Sequence, residues 1–326
     1  MFERSMRTTL TAALLVGAVE SAGATPFTGP TGAYYLDNFD VDVSGAPGAL
    51  YVVQGSTVIN SFAVVYGQNF SSGCIDQVWC EGNLAVTNVI STTGFGNGGG
   101  GTGSAGQYTL GGTPTGVNWI DTPPPSGQSE VSFYDGTADG THNYTVEYDL
   151  GSGNDYVVET NLNWQNPVPI FSLGKSNGGW LGIAFDPAND SLWLSGSGFS
   201  DTIADYSLSG VLLSSFTTDV LAMSALAYDP TDGTLWFNQA LSSTLYQYST
   251  DGQRLQSGTP VGLPEGFYSA GEFSEEMPIP EPSSLAIFAA GVLGLGIRRS
   301  VANDGLRWLT GRIGREQPSL NRGVRL

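Results

Sequence analysis

The sequence predicts an all-β fold, a β-propeller of four-stranded blades, and three observations carry that reading. Charged residues make up 13% of the 326 positions and glycines number 46, against about 25% and about 7% in ordinary soluble domains. Few charges with many Gly, Ser, Thr, Asn and Tyr favour strands and tight turns over long helices. Next, the block from Ile183 to Leu194 matches the block from Leu226 to Phe237 at an offset of 43, with Asp-Pro and Leu-Trp pairs in register. Then Thr202 to Gly210 matches Thr244 to Gly252 at an offset of 42, in the same order. A repeat of 40–45 residues holding four short strands is the period of a propeller blade.

Each unit divides into four elements. A strand ends at Phe185 or Tyr228, and Asp186-Pro187 or Asp229-Pro230 opens a turn because Asp and Pro favour turn geometry. A Leu-Trp strand follows, carrying Trp193 or Trp236, expected to pack between blades. Thr202 to Tyr206 (or Thr244 to Tyr248) forms the third strand, a Ser/Asp-Gly turn follows, and Val211 to Phe216 closes the first unit, with a counterpart around Leu255. Upstream, Tyr134 to Thr141 resembles the Asp-Pro turn, Tyr144 to Asp149 the third strand, and Leu50 to Phe62 matches Asp205 to Phe216. The body, 25–276, then has room for about six blades at about 42 residues each. The stretch from Cys74 to Pro125 fits least well, so a β-sandwich followed by an incomplete propeller is the alternative architecture.

Charge placement sets the body apart from the ends. The segment from Thr25 to Glu276 holds 25 of the 30 acidic residues and only two basic ones, Lys175 and Arg254, a formal charge of −23. Such a surface attracts cations and excludes a nucleic-acid partner, which needs a basic face. Residues 1–24 read as a cleavable export signal: Arg4 and Arg7, an apolar run to Val19, and small residues at Ala22-Gly23-Ala24. Two cysteines, Cys74 and Cys80, cannot form a zinc set with the single His142. Export favours a local disulfide between them; two unpaired buried thiols are the other reading.

At the far end, Pro280-Glu281-Pro282 precedes an apolar stretch, 283–297, and then Arg298-Arg299. Fifteen residues span about 22 Å as a helix, short of a hydrocarbon core of about 30 Å, so insertion would be transient. The segment 277–299, with its Pro-Glu-Pro, apolar helix and basic pair, resembles the PEP-CTERM sorting signal of Gram-negative bacteria. The resemblance implies recognition and processing by an exosortase, a membrane-embedded protease, with release to the cell surface or extracellular matrix of hosts that often make exopolysaccharide and biofilm. Such signals normally end soon after the basic cluster, whereas here 300–326 adds a basic tail.

No catalytic pattern emerges. Gly174-Lys175-Ser176 lacks the earlier glycine of a phosphate loop, whose place is taken by Pro169. Ser104 and Ser197 lack a nucleophile elbow, and any serine triad would rest on His142. Asp37, Asp40 and Asp42 are the best calcium candidates, but Tyr51 stands where a calcium loop needs its glutamate. No other cofactor is expected. The expected function is therefore non-catalytic binding or matrix building, with extracellular polysaccharide as the candidate partner. The alternative is a polysaccharide hydrolase or lyase with carboxylates and Lys175, Arg254 or His142 gathered at one end of the propeller axis.

Overall fold

The computed structural model describes residues 26–38, 49–64, 80–96, 104–120, 131–149, 153–175, 179–196 and 200–274. These contain five antiparallel four-stranded sheets, each a blade. The chain begins in blade 1 with β1 (Tyr34–Asn38), β2 (Ala49–Gln54) and β3 (Thr57–Ala63). Blade 2 is β4 (Cys80–Val86), β5 (Ile90–Gly96), β6 (Ser104–Tyr108) and β7 (Pro114–Ile120). Blade 3 is β8 (Val131–Ala138), β9 (His142–Asp149), β10 (Asn154–Asn161) and β11 (Val168–Lys175). Blade 4 is β12 (Trp180–Asp186), β13 (Ser191–Gly196), β14 (Thr202–Ser207) and β15 (Leu212–Thr217). Blade 5 is β16 (Met223–Asp229), β17 (Thr234–Gln239), β18 (Leu245–Ser249) and β19 (Arg254–Gly258). The chain then returns to blade 1, where β20 (Tyr268–Phe273) becomes the innermost strand, beside β1.

The innermost strands β4, β8, β12, β16 and β20 each lie against the next, and β20 lies against β4, so the ring is closed. Strands from both ends of the body share one blade, with Tyr34 opposite Phe273 and Leu36 opposite Gly271. The Ser274 amide donates to the Ala33 carbonyl at 3.3 Å. At the junction of blades 5 and 1, Phe27 packs edge-on against Trp236 at 6.4 Å, and the Thr28 amide donates to Gln256 Oε1 at 2.8 Å. All these closing contacts lie within 26–274, so that segment completes its own core.

Five blades replace the six expected from length. With five blades the body gives about 50 residues to each, more than the roughly 42 that the division assumed. Blade 2 occupies the poorly fitting region, which removes the sandwich alternative. Tyr144 to Asp149 lies in β9, the second strand of its blade and not the third. The match of Leu50–Phe62 to Asp205–Phe216 is a match of equivalent hairpins, β2–β3 and β14–β15.

A blade is apolar on both faces because each face meets a neighbour. Strand β13 is buried along its whole length. Trp193 packs with Ile203, Leu226, Leu235, Phe237 and Tyr248 between blades 4 and 5. A second device recurs on the rim. Phe62, Phe171 and Phe216, all on outermost strands, press on Gly112, Gly210 and Gly252, which lie in the turn before the outermost strand of the next blade. These glycines have φ of 86°, 81° and 90°, and a Cβ on Gly252 would lie 2.7 Å from the Phe216 ring. Gly252→Ala should therefore cost about 2–4 kcal/mol, combining left-handed strain with overpacking. Gly140→Ala, with φ 85° but nothing within 4 Å of the added carbon, should cost only about 1–2 kcal/mol. Urea melts of both variants check the difference.

Candidate functional site at the propeller axis

An innermost strand has one edge paired to its blade and one edge facing the axis. Its inward N–H groups need acceptors, because a buried unpaired amide is costly. The acceptor here is a side chain. Asp135 on β8 is fully buried, and its carboxylate takes four backbone N–H groups. Oδ1 accepts from Gly136 and Gly271, each at 2.9 Å. Oδ2 accepts from Ile183 at 3.1 Å and Leu226 at 2.9 Å. The donors belong to β8, β20, β12 and β16, so one side chain joins four of the five blades.

Local backbone irregularity makes this convergence reachable. Register shifts fall between Tyr134 and Thr137 on β8 and between Ser224 and Ala227 on β16, and Asp135 and Ala225 have φ of 51° and 52°. Bulges of this kind release amides from the ladder and re-aim them. The fifth inner strand is reached by close approach: a Cβ on Gly136 would lie 2.7 Å from the Leu84 carbonyl oxygen of β4. Burial pushes the Asp135 carboxyl well above its ordinary range, opposed by the four amides. A carboxylate is acceptor-only and has room for four donors, so the charged form is the one the geometry matches.

Tyr34 on β1 reinforces the hub by donating its hydroxyl to the Ala225 carbonyl and stacking on Phe273 at 4.8 Å. Thr137 Oγ1 accepts the Phe185 amide at 2.9 Å, a further tie between blades 3 and 4.

The residues singled out in the sequence fall elsewhere. Pro280, Glu281, Pro282, Arg298, Arg299, Cys74, Asp40 and Asp42 lie outside the described residues, as do the signal segment 1–24 and the tail 300–326. Cys80 opens β4. Asp37 is buried in β1, opposite Leu50 and Ala270. Among the described residues no three His, Cys, Asp or Glu side chains are grouped to hold a metal ion. Lys175 and Arg254 sit on the outermost strands β11 and β19, and Arg254 pairs with Asp219 at 2.6 Å. His142 is half-exposed at the start of β9, 3.7 Å from Asp139 and 3.8 Å from Glu159. The constellation that would favour an axial enzyme is thus not assembled among the described residues.

The repeated aspartates serve their turns. Asp186 accepts the Ala188 amide at 2.9 Å and the Trp193 indole at 3.4 Å, and Asp229 accepts the Thr231 amide at 2.9 Å. Trp193 and Trp236 are buried at 2% and 0% exposure, which makes them packing residues and denies them a sugar face.

Asp205 on β14 offers a pH test. Burial raises its carboxyl above the ordinary range, and the neighbouring Asp186 charge adds to the push. A folded value above the unfolded one adds stability that is fully present below the unfolded value and lost as pH rises through the folded one. The equivalent position in blade 5 is the neutral Gln247. Asp205→Asn should therefore raise Tm at pH 8, with the gain shrinking towards pH 4. Thermal melts across that range check it.

Comparison with known proteins adds one specific finding. The PEP-CTERM protein-sorting motif matches residues 278–300. No curated protein matches the sequence. Among solved structures, the chain is similar to one in a nidogen/laminin complex at 11% identity, covering 74% of this chain and 98% of that one, with a TM-score of 0.45. It is similar to a protein of unknown function from Bacteroides caccae at 9% identity, covering 70% and 73%, with a TM-score of 0.39. It is also similar to virginiamycin B lyase from Staphylococcus aureus at 14% identity, covering 70% of each chain, with a TM-score of 0.39. None of these likenesses bears on ligand or reaction. The chain is a five-bladed propeller carrying a PEP-CTERM motif, which implies exosortase-dependent sorting out of a Gram-negative cell.

Proposed function

We propose that this protein is a cell-surface or extracellular-matrix component whose propeller works by binding or by building matrix, without catalysis. The observation that carries the reading is the sorting motif at 278–300, which follows in sequence a ring whose last strand ends at Phe273. Processing by an exosortase at that motif would release a body whose ring is closed by its own strands, with β20 beside β1. With a formal charge of −23 over 25–276, the body favours a neutral or cationic matrix polymer over an acidic one.

Replacing Pro280-Glu281-Pro282 by alanines in the host should shift the protein from the surface and medium into the membrane fraction. Unchanged export would contradict the sorting reading. Glycan-array binding by 26–274 without turnover of the bound sugars supports the binding role, and turnover would replace it with the enzyme.

A further inference from the structure

The ring of amides around Asp135 has the form of an anion site. We propose that the axis is a small-monoanion-binding nest whose built-in ligand is the Asp135 carboxylate, and that a free carboxylate of matching size occupies it when that side chain is removed. Four N–H groups from Gly136, Ile183, Leu226 and Gly271 converge on two oxygens at 2.9–3.1 Å. They are backbone groups held by four separate strands, each fixed by its own blade. Backbone amides aimed into one concavity bind anions when they are successive in a single turn; here the convergence is made by four separate strands. Tyr34, whose hydroxyl donates to the Ala225 carbonyl, is pushed well above its ordinary range by burial first and then by the charges of Asp135 and of Glu272 on β20. The inference stands apart from the sorting function: it concerns what holds the blades together.

The test uses size. Asp135→Gly removes a CH2–COO− unit, which acetate replaces; Asp135→Ala keeps the first carbon, so formate is the better fit. Both substitutions tolerate the local backbone, since Ala225 already adopts φ 52°. In 26–274, acetate should raise the Tm of the glycine variant by about 5–10 °C at a hundredfold excess over its dissociation constant. Formate should do the same for the alanine variant, with the preference reversed between the two. Propionate and neutral acetamide at equal ionic strength should do neither, and the parent protein should respond to none of them.

An anion response equal in both variants, or equal to that of the parent, overturns the proposal. Should either variant stay unfolded in plain buffer, refolding yield becomes the readout. Recovery in the matched anion and not in acetamide supports the nest, and no recovery in either overturns it.

Discussion

Asp135→Asn should lower stability by about 3–5 kcal/mol, although it changes one oxygen into one nitrogen. The amide keeps one acceptor for two of the four donors and turns an NH2 group towards the other two. Those two backbone amides are then orphaned inside the ring. For a domain of this size the loss lowers Tm by about 6–20 °C. Thermal unfolding of 26–274 checks it. A shift within about 1 °C of the parent would mean that the four hydrogen bonds contribute nothing net.

The second large effect concerns closure. A chain ending at Pro264 lacks β20, all six residues of which are buried. It would leave Tyr34 without its stacking partner Phe273, Asp135 without the Gly271 amide, and the ring open between β16 and β4. Such a chain should lose cooperative unfolding. A permuted chain that places 265–274 ahead of residue 26 through a flexible linker should recover it, because Ser274 already lies beside Ala33. Circular dichroism melts of both chains check the pair of outcomes.

Blades 4 and 5 are legible in the sequence because each repeats an Asp-Pro turn and a Leu-Trp strand, local signals with fixed spacing. Blade 3 turns through Asp139-Gly140 without a proline, so it leaves only a faint echo and a strand misplaced by one. Blade 1 shows only its outer hairpin, through the likeness of Leu50–Phe62 to Asp205–Phe216; its inner strands β1 and β20 come from opposite ends of the body, a pairing no periodicity can report. The hub is hidden for a different reason. Asp135 sits in Tyr-Asp-Gly-Thr, a run typical of turns, and its partners are backbone amides, which leave no side-chain signature. The one available clue is a lone acid in the interior of β8. The rim contacts are half visible: Gly210 and Gly252 read as turn residues, but their contacts with Phe171 and Phe216 cross from one blade to the next.

Amide hydrogen exchange on 26–274 tests the closed ring most directly. If strands from both ends of the body complete one cooperative core, the amides of Tyr268–Phe273 exchange with the same opening free energy as those of Val131–Ala138, and Asp135→Asn lowers both together. Exchange of the final strand at a distinctly lower free energy, with the other inner strands still protected, would show a ring that holds without its last strand and would contradict the account.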